Sequence, residues 1–242
     1  LNAYRHLGHS EADFPVALAP VQKALAGIAP ARRVALPFRP LGRAEEASFA
    51  RRLQGAEGIL LRPGYITPSL LDQLPALRAV AVHGAGVDQV DVAACTARGV
   101  LVTNAPGANA DAVAELALGL MLSLARRIPE AARRVKEERV WGEARHTGRE
   151  LKGKTLGVVG LGQIGARLAR MAVALGMEVA AYDPALPPAE IRRRGARPLP
   201  LAKLLGEAHY LSLHAPLTPS THHLIGREAL ARMRKGAFLI NC

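Results

Sequence analysis

Residues 154–184 read KTLGVVGLGQIGARLARMAVALGMEVAAYDP and carry the clearest structural pattern in the sequence. The segment Lys154–Val159 is predicted to be a buried strand, and Ile164–Leu175 has helical periodicity. A second strand is predicted over Met177–Tyr182, with Asp183 directly after it. Between the first strand and the helix lies a G-x-G-x-x-G pattern, formed by Gly160, Gly162 and Gly165. Strand, glycine turn, helix, strand and acidic residue thus follow in the order typical of a dinucleotide-binding unit.

The three glycines are expected to have separate physical tasks. Gly160 allows a tight turn, Gly162 lets the backbone approach a pyrophosphate, and Gly165 lets the helix pack closely on the strand. The helix N-terminus adds unpaired N–H groups and a partial positive charge. Asp183 lies eighteen residues after Gly165, and its carboxylate can accept hydrogen bonds from an adenosine ribose while repelling a 2′-phosphate. We therefore predict NAD as the cofactor.

Two alternatives to this interpretation remain at the sequence level. The glycines could form a turn that only packs a helix, with Asp183 as a turn residue before Pro184. Arg192–Arg194 could in principle hold the 2′-phosphate of NADP, but they lie well past the strand end. We expect those arginines to form a solvated helix face.

The rest of the chain alternates apolar runs with amphipathic helices, which is typical of parallel α/β layers. We predict two α/β domains, residues 1–104 and 105–242, with the boundary near Asn104–Pro106. Further strands are predicted over residues 33–38, 58–61, 77–84, 99–106 and 237–240. Further helices are predicted over residues 16–26, 45–53 and 67–75, the last with an N-terminal cap.

A longer helix is predicted over Asp111–Arg127, with Asn109 or Asp111 as its cap. Six apolar residues recur there at three- and four-residue spacing: Val113, Leu116, Ala117, Leu120, Met121 and Leu124. This apolar periodicity indicates that Asp111–Arg127 is an amphipathic helix. A polar, arginine-rich helix is expected to follow and to lead to Trp141.

Composition narrows the function. The chain has 242 residues, half of them apolar, and no apolar run long enough to span a membrane. Its net charge of +12 could indicate nucleic-acid binding, but the arginines are dispersed and only 4% of residues are aromatic. We therefore predict no nucleic-acid or membrane partner and favour small anionic ligands. Cys95 and Cys242 lack metal-ligand or disulfide spacing, so no metal site and a cytoplasmic location are expected.

Several motifs together resemble the D-isomer-specific 2-hydroxyacid dehydrogenase family, through most of the chain but only loosely over residues 1–55. The motifs, in chain order, are AVHGAGVDQVD (81–91), GVLVTNAPGANADAVAELALGLMLSLAR (99–126), GRELKGKTLGVVGLGQIG (148–165), YDP (182–184), LSLHAPLTPSTHHLIG (211–226) and MRKGAFLINC (233–242). The resemblance implies an α/β fold with two Rossmann-like domains, a flavodoxin-like substrate domain and an NAD-binding doubly wound parallel sheet, with a cleft between them. It also implies hydride transfer between NAD and C2 of a small 2-hydroxy or 2-oxo acid.

The resemblance further implies roles for particular residues. The loop of Val82, His83, Gly84 and Ala85 is expected to present backbone N–H groups to the substrate carboxylate. Gln163 and Ile164 match positions that contact the pyrophosphate, while Ala215 and Pro216 match the loop beside the nicotinamide-side ribose. His214 is expected to be a hydrogen-bonded strand-end residue, and Thr218 and Thr221 to cap the following turn.

The segment AFLINC, residues 237–242, is predicted to be the fourth strand of the NAD-binding sheet, with Cys242 at the rim of the nicotinamide pocket. By resemblance, the catalytic Arg, Glu and His are expected beyond Cys242. The 242 residues are accordingly expected to be a fragment with an incomplete second sheet. We expect this fragment to bind NAD weakly and to catalyse no turnover.

The resemblance leaves the substrate and the biological role open. Arg62 lies where phosphoglycerate dehydrogenases carry a basic residue that can face a substrate phosphate, so that subtype is considered first. A hydroxypyruvate or glyoxylate reductase is the next candidate. An NAD-sensing, non-catalytic regulator on the same fold is the alternative function. Relatives pair through the helix like Asp111–Arg127 and the segment around Trp141, so a homodimer is expected.

Overall fold

The computed structural model describes residues 22–27, 30–31, 34, 37, 39–62, 64–140 and 147–242. The chain divides into two compact units, residues 1–108 and 109–242. This division falls a few residues beyond the expected boundary after Asn104. Among the described residues, no helix is long and apolar enough to cross a membrane.

The first unit is built on a three-stranded parallel sheet in the order β1-β2-β3. The strands are β1 Gly58–Leu61, β2 Ala79–Val82 and β3 Leu101–Thr103. Within the described residues from 39 to 108, the helices are α1 Arg43–Leu53, α2 Pro68–Asp72 and α3 Val92–Ala97. Helix α2 is capped as predicted, because the Thr67 hydroxyl accepts a hydrogen bond from the N–H of Leu70. The predicted helix 16–26 and strand 33–38 lie mostly outside the described residues.

The second unit is a five-stranded parallel sheet in the order β6-β5-β4-β7-β8. Its strands are β4 Thr155–Val159, β5 Glu178–Tyr182, β6 Arg197–Pro198, β7 Tyr210–Leu213 and β8 Phe238–Asn241. Its helices are α4 Ala110–Arg126, α5 Ile128–Arg133, α6 Gln163–Ala174, α7 Pro188–Arg193, α8 Leu201–Glu207 and α9 Arg227–Arg232. A π-helical turn, Arg134–Glu138, follows α5.

The strand order places a topological switch point beside the glycine turn. Strand β4 is central, and the chain moves outward through β5 and β6 before returning to β7 on the other side of β4. Ligands of open parallel sheets bind at the carboxyl ends of the strands where the order reverses. Here those ends carry the turn at Gly160 after β4 and the segment beginning at His214 after β7.

The predicted α/β fold with parallel sheets is confirmed, but one strand count was wrong. The segment AFLINC forms β8, which is the fifth strand of its sheet and not the fourth. The missed strand is β6, whose two residues, Arg197 and Pro198, pair with Ala180 and Ala181 of β5. A two-residue strand that contains proline has no alternation of apolar residues from which to predict it.

Helix α4 buries only part of the predicted stripe, namely Ala117 and Met121. Its buried residues are four alanines and one methionine: Ala110, Ala114, Ala117, Met121 and Ala125. By contrast, Leu116, Leu120 and Leu124 are 54%, 39% and 41% exposed. The helix is apolar on more than one face, so periodicity alone could not identify the packed one. Asn109 occupies the cap position without a side-chain cap bond, and Trp141 lies outside the described residues.

Candidate functional site

The turn after β4 is shaped by two glycines that leave no room for a side chain. Gly160 has φ +86°, and a Cβ there would lie 2.7 Å from the backbone of His214 and Ala215. A Cβ at Gly165 would lie 2.2 Å from the carbonyl oxygen of Gly160. Only glycine fits both positions, because backbone atoms cannot move aside as flexible side-chain ends do. The turn is thereby held against the start of α6 and against the segment after β7.

Gly162 differs from its two neighbours in the pattern because it faces open space. A Cβ there would meet nothing within 4 Å. It occupies the N-cap position of the twelve-residue helix α6, which has no side-chain cap bond and no acidic residue in its first turn. The first N–H groups of a helix have no partners within it, and the helix end carries a partial positive charge. This end of α6 is therefore suited to an anionic group.

Gln163 and Ile164 begin α6, which starts one residue before the predicted helix. The Gln163 side chain accepts a hydrogen bond of 3.0 Å from Arg167, whose Nε also donates to Asp111 over 2.6 Å. Ile164 is half-buried and packs against the apolar core of this unit. Their side chains are thus occupied internally, so their backbone N–H groups are the parts suited to a ligand.

Asp183 follows β5 and is half-buried. One of its carboxylate oxygens accepts the N–H of Leu161 over 2.8 Å, and the other accepts the N–H of Ala185 over 3.0 Å. Each carboxylate oxygen can accept two hydrogen bonds, so one acceptor position remains on each oxygen. The two backbone bonds fix the carboxylate while leaving it able to bind a pair of hydroxyls.

Arg194 was wrongly grouped with a solvated helix face. Its side chain is 30% exposed, whereas that of Arg193 is 75% exposed. Arg194 donates to the carbonyl oxygen of Leu161 over 2.6 Å and to Glu190 over 2.6 Å. These two arginines hold the pKa of Glu190 at about 2 by hydrogen bonding, Arg193 contributing most. No sequence signal distinguished Arg194, because arginine at a helix end is usually a solvated residue.

The segment after β7 contains Ala215 and Pro216. Ala215 is half-buried and contacts the turn at Gly160, while Pro216 is exposed. The Pro216 carbonyl accepts the Thr221 hydroxyl over 2.5 Å, and the N–H of Thr218 donates to the same hydroxyl. Thr218 and Thr221 thus cap this turn as expected. Cys242 follows β8, is exposed and unpaired, and has its thiol pKa raised by desolvation.

His214 is a hydrogen-bonded strand-end residue, as expected. Its Nε2 lies 2.8 Å from the hydroxyl of Ser212, which is fully buried. Burial lowers the pKa of His214 to about 4. The ring is therefore neutral near pH 7 and is poorly matched to proton transfer at that pH.

The lowered pKa of His214 predicts a pH-dependent stability. The unfolded chain, with an ordinary pKa of 6.5, binds the proton more tightly than the folded chain. Stability from this group is complete above about pH 6.5 and is lost as the pH falls toward 4. We expect unfolding in urea at pH 5 to cost roughly 1–2 kcal/mol less than at pH 7. The variant His214→Gln should lose the His214 share of that difference and keep the share of His209, whose pKa is also lowered by burial; an unchanged difference would contradict this assignment.

The predicted substrate loop follows β2, and most of its N–H groups are already occupied. Val82 lies within β2, the N–H of His83 donates to the Leu61 carbonyl over 2.8 Å, and the N–H of Gly84 donates to the Val82 carbonyl over 2.9 Å. Within the described part of the chain, the N–H groups of Ala85 and Gly86 donate to no acceptor. The donors available for a ligand are therefore those of Ala85 and Gly86.

The carbonyl groups of this loop are tied back by three donors. His83 O accepts from Arg62 over 3.3 Å, Gly84 O from the N–H of Ala105 over 2.9 Å, and Ala85 O from the Asn104 side chain over 2.7 Å. No peptide bond among the residues that the structure describes is cis. In a trans peptide the N–H points opposite to the C=O. Ala105 and Asn104 therefore turn the N–H groups of Ala85 and Gly86 away from β3.

Arg62 and His83 form an exposed pair at the ends of β1 and β2. Arg62 Nη1 lies 3.1 Å from His83 Nδ1. Arginine has only donors, so Nδ1 must be the acceptor in this pair, and the neutral ring then carries its proton on Nε2. The pair thus offers a guanidinium and an imidazole N–H beside the loop. Their contact could not be predicted from the sequence, because Arg62 and His83 follow different strands.

We predict that Asn104→Ala weakens binding of a 2-oxo-acid analogue while leaving the nucleotide unit intact. The variant removes the donor that holds the Ala85 carbonyl, so the N–H of Gly86 loses its fixed direction. We expect the Kd of oxamate, measured by calorimetry with NADH present, to rise roughly three- to tenfold. The isosteric Asn104→Asp cannot donate and should bind at least as weakly. Unchanged Kd values in both variants would contradict the role of Asn104.

The geometry of the second unit is suited to NAD. The two glycines that exclude a Cβ, the open position at Gly162 and the uncapped end of α6 together form a cradle for a pyrophosphate. Asp183 retains acceptor capacity for ribose hydroxyls. A glycine turn that only packed a helix would require neither the open Gly162 nor the fixed carboxylate. The fold and the cradle define a dinucleotide-binding α/β protein.

Comparison with known proteins gives the family. Residues 118–242 match the D-isomer specific 2-hydroxyacid dehydrogenase, NAD binding domain. The chain is 40% identical over 193 residues to D-3-phosphoglycerate dehydrogenase of Methanocaldococcus jannaschii, covering 79% of this chain and 37% of that protein. It is 42% identical over 176 residues to hydroxypyruvate reductase of Thermotoga maritima, covering 73% and 56% respectively.

A solved structure agrees with this assignment. D-lactate dehydrogenase from Aquifex aeolicus, complexed with NAD and lactic acid, superposes with a TM-score of 0.79 at 30% identity, covering 94% of this chain and 66% of that one. The chain belongs to the D-isomer-specific 2-hydroxyacid dehydrogenase family, whose members are NAD-dependent enzymes, and the predicted cofactor, NAD, is confirmed. The chain spans about a third to a half of the length of these two curated relatives.

Proposed function

We propose that the protein transfers a hydride between NAD and C2 of a small D-2-hydroxy or 2-oxo acid. The observation that carries this proposal is the pairing, in one chain, of the glycine cradle in the second unit with the tied-back loop of the first. The cradle suits a dinucleotide, and the loop suits a carboxylate. When bound, NAD supplies the hydride acceptor or donor.

The coenzyme would be held by backbone groups and one carboxylate. The N–H groups of Gly162, Gln163 and Ile164 at the start of α6 would bind the pyrophosphate. Asp183 would accept the adenosine ribose hydroxyls. Ala215, Pro216 and Cys242, which lie at the carboxyl ends of β7 and β8, would border the nicotinamide side.

The substrate carboxylate would be held by the N–H groups of Ala85 and Gly86. Fewer N–H groups are available than the sequence led us to expect, because those of Val82, His83 and Gly84 already donate to the backbone. Among the residues that the structure describes, we assign no general acid or base. His214 is held neutral by burial, and His83 is paired with Arg62.

Arg62 and His83 favour a substrate with a second anionic group. An exposed guanidinium and an imidazole N–H beside the loop suit a phosphate better than the aldehyde hydrogen of glyoxylate. We therefore place 3-phosphoglycerate and its 2-oxo form first and hydroxypyruvate second. Names of relatives include both activities.

The test measures, by calorimetry with NADH present, the Kd of 3-phosphohydroxypyruvate, hydroxypyruvate and glyoxylate, because these residues are expected to bind the acids without turnover. We expect the first to have the lowest Kd and Arg62→Met to raise that Kd roughly tenfold or more, with a smaller effect on glyoxylate. Arg98→Met is the control, because Arg98 is bonded to Asp72 in the same unit and is remote in sequence from the loop. If Arg62→Met raised the Kd of all three acids equally, Arg62 would not be bound to a substrate phosphate.

The assay also separates the alternative function. Tight NAD binding without measurable binding of any of the three acids would favour an NAD-sensing regulator, which a screen for peptide partners would then test. Selective binding of one acid would favour the dehydrogenase.

A homodimer is the proposed assembly. Four neighbouring large apolar side chains on α4 and α5 are between 39% and 54% exposed, which is unusual. They are Leu116, Leu120, Leu124 and Ile128. Light scattering is expected to give twice the chain mass. A cytoplasmic location agrees with the two unpaired cysteines, and we expect no nucleic-acid partner.

A further inference from the structure

Arg194 has two bonds that reach from the end of α7 to the glycine turn. Its Nη1 donates to the carbonyl oxygen of Leu161 over 2.6 Å, and its Nε donates to Glu190 over 2.6 Å. Leu161 lies thirty-three positions before Arg194 in the chain, and Glu190 lies four positions before it. The guanidinium is planar and permanently charged, so its direction is set once both bonds form. A charge-assisted bond to a carbonyl is also stronger than a neutral one.

Leu161 is fixed at three points. Its side chain is fully buried in the core of the second unit, its N–H donates to Asp183 over 2.8 Å, and its carbonyl accepts from Arg194. The peptides on both sides of Leu161 therefore have defined orientations. Asp183 and Arg194 hold opposite ends of the same residue.

The peptide between Leu161 and Gly162 is the one that matters for a ligand. Because this peptide is trans, the N–H of Gly162 points away from the carbonyl that Arg194 holds. Gly162 has no side chain and faces open space, so no packing of its own restrains it. Glycine is the most flexible residue. The direction of the Gly162 N–H therefore depends on the bond that Arg194 makes to the Leu161 carbonyl.

We propose that Arg194 is a positioning residue of the coenzyme site, which holds the Leu161 carbonyl so that the N–H of Gly162 is directed outward for the pyrophosphate. Glu190 fixes Arg194 in turn, while Arg193 shares Glu190 without touching the turn. Arg194 makes no contact with NAD in this proposal. The inference rests on NAD binding by the second unit and does not require the proposed hydride transfer.

The test compares Arg194→Met, Arg194→Lys and the control Arg193→Met. Arg193 bonds the same carboxylate but is 75% exposed, so the control removes a neighbouring charge without releasing the turn. We expect Arg194→Met to raise the calorimetric Kd of NAD and of ADP-ribose roughly tenfold. Arg194→Lys should recover part of the loss, since lysine can donate to the carbonyl but not through a rigid fork. The control should stay within about twofold of the parent chain.

Hydrogen exchange in the ligand-free chain gives a second readout. At a temperature well below the unfolding of all variants, the amide of Leu161 should exchange faster in Arg194→Met than in the parent chain. In Arg193→Met its exchange rate should be unchanged. This measurement decides the proposal even if NAD binding is too weak to titrate. Equal Kd values and equal Leu161 exchange in Arg194→Met and Arg193→Met would overturn it.

Discussion

Gly165→Ala is expected to abolish measurable NAD binding and to lower the free energy of unfolding of the second unit by about 1–3 kcal/mol. The added Cβ would lie 2.2 Å from the Gly160 carbonyl oxygen and 3.0 Å from a methyl of Val158. Neither helix α6 nor strand β4 can move freely, because both pack in the buried core. Alanine's better helix propensity, worth about 1 kcal/mol, is too small to offset the overlap.

Gly160→Ala is expected to behave similarly, for a different combination of reasons. Its φ of +86° is unfavourable for alanine, and its Cβ would lie 2.7 Å from the backbone at His214 and Ala215. The turn follows β4 and packs against the segment after β7. Relief of the overlap would therefore displace the backbone at the ends of both strands. Binding and stability should therefore fall together.

Gly162→Ala is the matched control for both variants. Its φ is −74°, and a Cβ there meets nothing within 4 Å. Stability should change by roughly 1 kcal/mol or less, while NAD binding is lost, because the methyl group occupies the space through which the pyrophosphate approaches. Urea unfolding and calorimetric titration measure the two effects separately. The cradle assignment fails if Gly162→Ala binds NAD as the parent chain does, or if Gly165→Ala keeps both properties.

Asp183→Ala is expected to weaken NAD binding on the order of 100-fold, the loss of two hydrogen bonds to a charged acceptor. The Kd of NADP should change far less, because the parent carboxylate repels a 2′-phosphate as well as binding ribose. The preference for NAD should then nearly disappear. Part of the loss would come from the turn itself, since the N–H groups of Leu161 and Ala185 lose their acceptors.

Asp183→Asn separates these contributions. The amide has nearly the same shape and keeps one oxygen acceptor, so it can still hold one of the two backbone N–H groups, but it carries no charge. We expect an intermediate Kd for NAD and a clear gain for NADP relative to the parent chain. Titration with both coenzymes supplies the measurement. A preference for NAD that survives in both variants would show that another residue selects the coenzyme.

The coenzyme cradle could be predicted from the sequence because its parts are contiguous. Gly160, Gly162, Gly165 and Asp183 lie within one βαβ unit, and each has a residue type that its backbone role requires. The structure places them as the pattern indicates, with Gly160 and Gly165 closed to a side chain and Gly162 open. The α/β fold followed from the same alternation of strands and helices.

The proposed substrate loop was predictable only in outline. The small residues after β2 indicated a close backbone approach, but not which N–H groups were already used. That selection depends on Leu61, Asn104 and Ala105, which come from neighbouring strands or their ends. Gly86 therefore joined the candidate donors only when the partners of each carbonyl were known.

The class of fold, the proposed coenzyme cradle and the preference for NAD follow from the sequence, because those features rest on local spacing and on residues that only one backbone conformation accepts. Three features could be read only from the packed chain: Arg194 holds the Leu161 carbonyl, Asn104 holds Ala85, and α4 buries four of its alanines while exposing most of its leucines. The physical reason is that these contacts join residues far apart in the chain. An arginine, an asparagine or an apolar helix face has many possible partners, and only the packed chain selects among them.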